Sequence, residues 1–444
     1  MKTLKRSFWG FLLFLSLLWW LADTTKWSSL NDIFAYRGVL MQYTGIIAIG
    51  VMSVATILSV RPILLERPFD GLDKMYRLHK WLGIAGLVMA VAHWLVVEGP
   101  RWMVSLGWIV RTSRRIPPAM QEGSLQHLLS LQRGLAAKMG EYAFYLAVLL
   151  IVLALIKRFP YRQFFQTHRI LALTYLALVF HSVVFMRYAY WSTPLGIFML
   201  ILMGLGSISA VLALFRKRVG RSPIDGQVSA IEMHPAIDLM EVSIRMDKGW
   251  AGHAAGQFAF VTFHKNEGPH PFTISSPGEQ EGNIKFLIKG IGDYTQTLPE
   301  RLRVGDQVKV EGPYGRFNFD GDTQRQIWIA GGVGIAPFLA KMRERARQSD
   351  GKVIELFYST STHNPAFAAE LSRTAAEAKV QLHYRSSKQD GRFDLETILN
   401  SVPEWREADV WFCGPESFGA MLQQGFANAG VPEKRFHREL FEMR

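Results

Sequence analysis

The chain has 444 residues, more than one core usually holds at ~100–200 residues per domain. Hydrophobic residues make up 49% and charged residues 20%, which excludes a disordered chain; the single cysteine, Cys413, excludes an intramolecular disulfide, a Cys-ligated iron–sulfur cluster, a covalently attached c-type haem and a Cys-based zinc site. Because basic residues flank long apolar runs, the formal charge of +13 reads as attraction to anionic lipid and not to nucleic acid.

The apolar runs all fall before about residue 215: Phe8 to Ala22, Gly38 to Val60, Leu78 to Val97, Tyr142 to Ile156, Ile170 to Phe185 and Leu195 to Phe215. A helix rising ~1.5 Å per residue needs about 20 apolar residues to cross ~30 Å of hydrocarbon, so six transmembrane helices are expected. The first run also fits a signal peptide with its Lys2, Lys5 and Arg6 start, but no small-residue cleavage site follows Trp19-Trp20, which favours a retained span. Lys and Arg set orientation. The start, the second-to-third link (Arg61, Arg67, Lys74, Arg77), the fourth-to-fifth link (Lys157, Arg158, Arg162) and the exit (Arg216, Lys217, Arg218, Arg221) would all be cytoplasmic, which predicts a multi-pass cell-membrane protein with both termini on the cytoplasmic side. The loop from Glu98 to Gly140 breaks the pattern with Arg101, Arg111, Arg114, Arg115, Arg133 and Lys138, although long loops constrain topology less.

From Ser222 short alternating strands broken by Gly and Pro predict a small antiparallel barrel: Gly226 to Met233, Leu239 to Arg245, Gln257 to Phe263, Ile284 to Lys289 and Gln307 to Val310. After Asp320 strands alternate with helices, the pattern of a parallel sheet of βα units. The expected domains are therefore a six-helix transmembrane bundle over 1–216, an antiparallel β-barrel domain over 217–320 and an α/β parallel-sheet nucleotide-binding domain over 321–444.

Four of the twelve histidines lie in or at the ends of spans: His79 and His93 in the third, His168 and His181 in the fifth. A buried ionisable group in a span is a functional candidate because leaving it unpartnered is costly. The two spans run in the same direction, so His79 is expected level with His168 and His93 with His181. Two facing imidazoles suit the axial positions of a b-type haem, whereas zinc would want further ligands. Separations of 14 and 13 residues correspond to ~20 Å along a helix, room for two stacked haems. At ~100° per residue, however, the 13-residue pair is turned by about 140° on an ideal helix. The fifth span must be distorted, or meet its haems from different sides.

His270-Pro271-Phe272-Thr273-Ile274-Ser275-Ser276 follows a barrel strand and offers amides and hydroxyls to an isoalloxazine edge, with Lys289 and the turn Gly290 to Thr295 within reach of a pyrophosphate. Gly331-Gly332-Val333-Gly334-Ile335-Ala336-Pro337-Phe338 lies between a strand and a helix, where phosphate approaches backbone N–H groups. The strand Asp409 to Cys413 ends in Cys413-Gly414-Pro415, at the sheet edge where α/β ligands gather. Phe441 reads equally as a core aromatic or a lid on the flavin.

The four histidines in six spans, followed in order by HPFTISS, GGVGIAPF and FCGP, resemble the NADPH oxidase and ferric reductase superfamily, whose cytosolic half is similar to ferredoxin–NADP reductase. The resemblance implies FAD at His270, Pro271, Phe272, Thr273 and Ser276 with Lys289 and Thr295. It implies NADPH, or NADH, at Gly331, Gly332, Gly334, Pro337, Cys413, Gly414 and Pro415. Arg392 resembles an arginine that meets the 2′-phosphate of NADPH, with Arg385 a rival on position. Arg37 resembles an arginine near the outer haem and the oxygen site. The chain departs from regulated eukaryotic oxidases in having no EF-hand loops and in continuing past Phe441. Expected, then, is an enzyme passing electrons from NAD(P)H through FAD and two haems to O2, giving superoxide. An Fe(III) chelate is the alternative acceptor, and a membrane haem subunit serving a partner protein a second alternative. No obligatory protein partner is indicated. The outer loop offers no metal-ligand cluster beyond His127.

Overall fold

The computed structural model describes residues 2–25, 30, 32–66, 68–69, 71–110, 121–156, 158–215, 221–278 and 282–439. Phe441 lies outside them, as do Arg67, Arg111, Arg114, Arg115, Lys157, Arg216, Lys217 and Arg218 of the charge reading. The chain divides into two compact units, one on each side of the 220/221 junction apart from a few residues near Asp70.

In the first unit the helices are α1 (Lys2–Ala22), α2 (Ile33–Ser59), α3 (Leu72–Ser105), α4 (Leu125–Leu131), α5 (Arg133–Leu155), α6 (Tyr161–His168), α7 (Ile170–Phe185) and α8 (Pro194–Leu214). Among the described residues six stretches are long and apolar enough to cross a membrane, α6 and α7 together forming the fifth. Asp32 caps α2 by accepting from the Ala35 N–H at 2.7 Å, and Thr193 caps α8, whose first residue is Pro194. On α8 the buried stripe Gly196, Met199, Met203, Gly206 and Ala210 contains small residues, while Ile197, Leu200, Ile201, Leu205 and Ile208 face outward. Small inside and greasy outside is the pattern of a helix whose solvent is lipid.

The fifth span is interrupted at Arg169. Arg169 ends α6 immediately after His168, and α7 starts at Ile170, so the two histidines sit on separate helical pieces. The interruption is one residue long, and the Arg169 backbone stays in the right-handed helical region with φ −65° and ψ −29°.

The second unit opens with β1 (Ile224–His234), β2 (Leu239–Met246), β3 (Phe258–Thr262), β4 (His270–Thr273), β5 (Asn283–Lys289), α9 (Asp293–Arg301) and β6 (Gln307–Tyr314). The order β4-β3-β6-β1-β2-β5 is antiparallel throughout, and an Ile274–Phe286 bridge joins its two edges into a barrel. Inside it Val242, Ile244, Val261, Ile274, Phe286 and Val310 form the core.

There follow β7 (Arg325–Gly331), α10 (Ala336–Arg345), β8 (Val353–Thr360), α11 (Pro365–Glu377), β9 (Val380–Ser386), α12 (Leu395–Ser401), β10 (Asp409–Cys413), α13 (Glu416–Asn428) and β11 (Phe436–Arg438). The sheet is parallel in the order β11-β10-β7-β8-β9. From β7 the chain winds outward through β8 and β9, then returns to β10 on the other side. The gap between β7 and β10 is thus the switch point where α/β folds bind ligands.

Candidate functional site

The structure brings the four histidines together in the expected pairs. The ring centroids of His79 and His168 are 5.9 Å apart, and those of His93 and His181 are 6.4 Å apart. A metal bonded linearly to two imidazole nitrogens at about 2.0–2.1 Å would place ring centroids about 6.3 Å apart. Each pair therefore has the spacing for one iron between two rings.

The hydrogen bonds leave the right nitrogen available. His79 Nδ1 donates to the Ala55 carbonyl at 2.8 Å and His181 Nδ1 to the Ala136 carbonyl at 2.9 Å. A carbonyl only accepts, so the proton is on Nδ1 and the lone pair on Nε2, the arrangement that orients a metal-binding imidazole. His93 Nδ1 is 3.0 Å from Thr44 Oγ1, whose own proton goes to the Leu40 carbonyl at 2.7 Å. That hydroxyl must therefore accept from His93, which gives the same tautomer. His168 Nδ1 is buried without a partner. Two glycines make room for the rings: Gly45 on α2 faces His93, and a Cβ added to Gly140 on α5 would overlap the His181 imidazole.

Arg37 on α2 donates from Nε and Nη2 to the Val96 and Val97 carbonyls, each at 3.2 Å, which sets it on the α3 turn following His93. Sequence reasoning missed its neighbour Arg187. That guanidinium donates to both oxygens of Asp23, at 3.0 and 3.2 Å, and to the Gly38 carbonyl at 3.3 Å. Its backbone N–H donates to Gln42 Oε1 at 3.0 Å. The Asp23 side chain is 2% exposed and that of Arg187 35%, so the carboxylate is buried while the guanidinium keeps contact with its surroundings. An arginine just beyond a span was the available signal.

In the barrel Thr273 and Ser275 have buried hydroxyls without hydrogen-bond partners, an uncommon state for buried polar groups. They fit a flavin edge. His270 stacks on Tyr294 at 4.5 Å, and burial pushes its pKa down to about 4, so the imidazole is neutral. Pro271 pairs with Phe260 on β3, and Phe272 packs on Phe263 and Phe286. Ser276 is engaged by the fold: its hydroxyl lies 3.2 Å from His253 Nε2 and accepts from the Lys285 N–H at 3.1 Å. The stretch read as a turn starts α9, where Thr295 Oγ1 accepts from the N–H groups of Ile291 at 3.1 Å and Gly292 at 3.0 Å. Lys289 ends β5, its Nζ 4.0 Å from where a Cβ on Gly332 would stand, beside the nucleotide loop.

Gly331 ends β7 and Gly332 to Ile335 form a single 3-10 turn; Gly332 has φ +57°, which glycine adopts freely. A Cβ on Gly331 would press on Pro415, and one on Gly334 would overlap the Cys413 carbonyl. The two motifs are thus packed loop on loop at the switch point, with Pro337 in the first turn of α10, where its missing N–H costs nothing. Cys413 is fully buried, and burial, with Glu439 adding to it, pushes its thiol well up. On the other side of β7, Ser359 on β8 stands in register with Arg385 on β9. Arg385 lies over the Phe393 ring at 4.5 Å, whereas Arg392 is exposed on the following loop.

Three family models match: a ferric reductase like transmembrane component over 44–179, an oxidoreductase FAD-binding domain over 231–319 and an oxidoreductase NAD-binding domain over 328–424. An NADPH oxidoreductase of Mycobacterium tuberculosis is 30% identical over 178 residues, covering 38% of this chain and 47% of that one. A flavohemoprotein of Bordetella pertussis is 26% identical over 196 residues, covering 39% and 48%. The chain spans about half the length of these curated relatives. Among solved structures, a ferredoxin reductase in carbazole 1,9a-dioxygenase aligns at 23% identity with a TM-score of 0.43, covering 50% of this chain and 69% of that one.

Proposed function

The chain belongs to the NADPH oxidase and ferric reductase superfamily, joining a ferric-reductase-like transmembrane component to FAD-binding and NAD-binding oxidoreductase domains, and we propose that it moves electrons from cytosolic NAD(P)H across the bilayer to O2, giving superoxide. When bound, FAD accepts hydride and releases electrons singly, and two b-type haems carry those electrons through the membrane.

The observation that carries this reading is the pair of imidazole pairs, each with iron-sized spacing and, for three of the four rings, Nδ1 already tied. His79 and His168 would hold the haem nearer the cytosol, and His93 and His181 the outer one. Were haem iron held between His79 and His168 and between His93 and His181, those imidazoles would leave the acceptor no coordination position, and its reduction would be outer-sphere. Arg37, at the His93 level, would stabilise a singly reduced, anionic product. In the soluble unit Thr273 and Ser275 would hold the flavin edge while Gly331 to Gly334 and Cys413 to Pro415 hold the dinucleotide. His270, neutral and stacked on Tyr294, would fix the entrance to that edge.

A second reading, an Fe(III) chelate as acceptor, is favoured by the ferric-reductase character of the matched transmembrane component. The deciding experiment supplies NADPH to purified, FAD-loaded protein and follows cytochrome c with and without superoxide dismutase, then ferric citrate under nitrogen. Dismutase-sensitive reduction supports oxidase activity; iron turnover without it supports the second reading.

A further inference from the structure

Arg343 stands on α10, the helix that begins at the end of the nucleotide loop, and its guanidinium reaches into the barrel. Nη1 and Nη2 each donate to Glu241 Oε2 at 3.1 Å, Nη1 also donates to the Ser275 carbonyl at 3.1 Å, and Nη2 reaches Glu370 at 3.5 Å. Glu241 lies on β2, is 6% exposed, and takes a second cation in Lys285, whose Nζ is 2.6 Å away. Burial pushes the Glu241 carboxyl up, but Arg343 and then Lys285 outweigh it and hold the group below its ordinary value, so it stays ionised. Ser275 is in turn fixed to the barrel, its N–H donating to the Lys285 carbonyl at 2.8 Å.

A continuous path of covalent and hydrogen-bonded links follows. It runs from Gly331 to Gly334 along α10 to Arg343, across to the Ser275 carbonyl, and so to the end of β4 and the residues after it, which carry the unpartnered hydroxyls of Thr273 and Ser275. The geometry points to Arg343 as a positioning residue for hydride transfer, its three-way fork setting how far the nicotinamide loop stands from the flavin loop. This rests on the proposed binding of FAD and NAD(P)H. The two Nη groups of one planar guanidinium reach Glu241, the Ser275 carbonyl and Glu370 together, a geometry that the shorter-reaching ammonium of a lysine reproduces only in part. Hydride transfer is the step most exposed to such a change, because it needs reacting atoms about 3–3.5 Å apart and a 1 Å misplacement costs ~100-fold. Neither Arg343 nor Glu241 belongs to the residues that would hold either cofactor, so affinity should be spared.

The test is anaerobic stopped-flow reduction of the flavin by NADPH in the detergent-purified, full-length holoprotein, comparing wild type with Arg343→Met, Arg343→Lys and the near-isosteric Glu241→Gln. The expected result for Arg343→Met is a limiting rate at least 10-fold lower, about 1.4 kcal/mol, with FAD content and the NADPH concentration at half-maximal rate within ~3-fold of wild type. Arg343→Lys should recover part of the rate, and Glu241→Gln should fall in the same direction. Wild-type limiting rates in Met and Gln variants that retain FAD would overturn the assignment. So would loss of FAD from both, which would make the pair a folding element only. Failure of NADPH to bleach the wild-type flavin would instead count against the underlying function.

Discussion

Thr44 Oγ1 lies 3.0 Å from His93 Nδ1 and 2.7 Å from the Leu40 carbonyl, so one hydroxyl takes the imidazole proton while giving its own to the preceding turn. An acceptor on Nδ1 raises the basicity of Nε2 and favours the oxidised metal. Thr44→Val keeps the shape and removes the acceptor, with the Met41 carbonyl still beside the ring. The potential of one haem should rise, by no more than about 59 mV, a tenfold change in a one-electron equilibrium. Spectropotentiometric titration reads it, and Thr44→Ser should restore the wild-type value.

Gly140 gives a steric prediction. A Cβ there would collide with the His181 ring, whereas one on Gly134, a turn and a half earlier on the same helix, meets nothing within 4 Å. Gly140→Val should lose one haem of two and Gly134→Ala none, measured by pyridine haemochrome against protein concentration. Equal haem in both variants would place that haem elsewhere.

Cys413 tests the nucleotide edge. Its thiol is fully buried and pushed up by that burial, and the thiolate is the reactive form. Iodoacetamide at pH 8 should leave it unmodified in folded protein and alkylate it fully in denaturant, as read by intact mass. Rapid labelling of the folded chain would show that β10 does not end in a closed core.

Two arginines compete to read a 2′-phosphate. Arg392 is exposed on the loop after β9, and Arg385 stands in register with Ser359. A guanidinium fork suits that phosphate and gains little from a ribose hydroxyl. Arg392→Ala should raise KM for NADPH roughly 10-fold, about 1.4 kcal/mol if KM tracks binding, with NADH nearly unchanged. If Arg385→Ala shows that discrimination and Arg392→Ala does not, the reader is Arg385.

Periodicity and composition were enough to find the spans, the parallel sheet and the two histidine levels, because lipid length and βα alternation both leave long-range marks on a sequence. The residue phase of His168 and His181 left two alternatives open, a distorted fifth span or haems met from different sides, and the sequence did not choose between them. Strand β4 was missed because Pro271 and a four-residue length hide the alternation. Helix α9 was hidden by Gly290, Gly292 and Pro299, which read as a turn until Thr295 is seen closing the cap. Thr44 meets His93 49 residues on, Gly140 faces His181 41 residues on, Arg187 pairs with Asp23 164 residues back and Arg343 with Glu241 102 residues back. No local pattern announces such contacts; they exist only once the helices and the barrel are packed.

The central claim, serial transfer from NADPH through flavin to two histidine-held haems, is tested most directly by anaerobic NADPH titration of the purified protein with haem quantified per chain. The account predicts two acid-acetone-extractable, low-spin haems, both reduced after the flavin, and a His93→Leu variant that keeps one haem and a reducible flavin. One haem or none in the wild type, or a flavin that reduces while both haems stay oxidised, would contradict it.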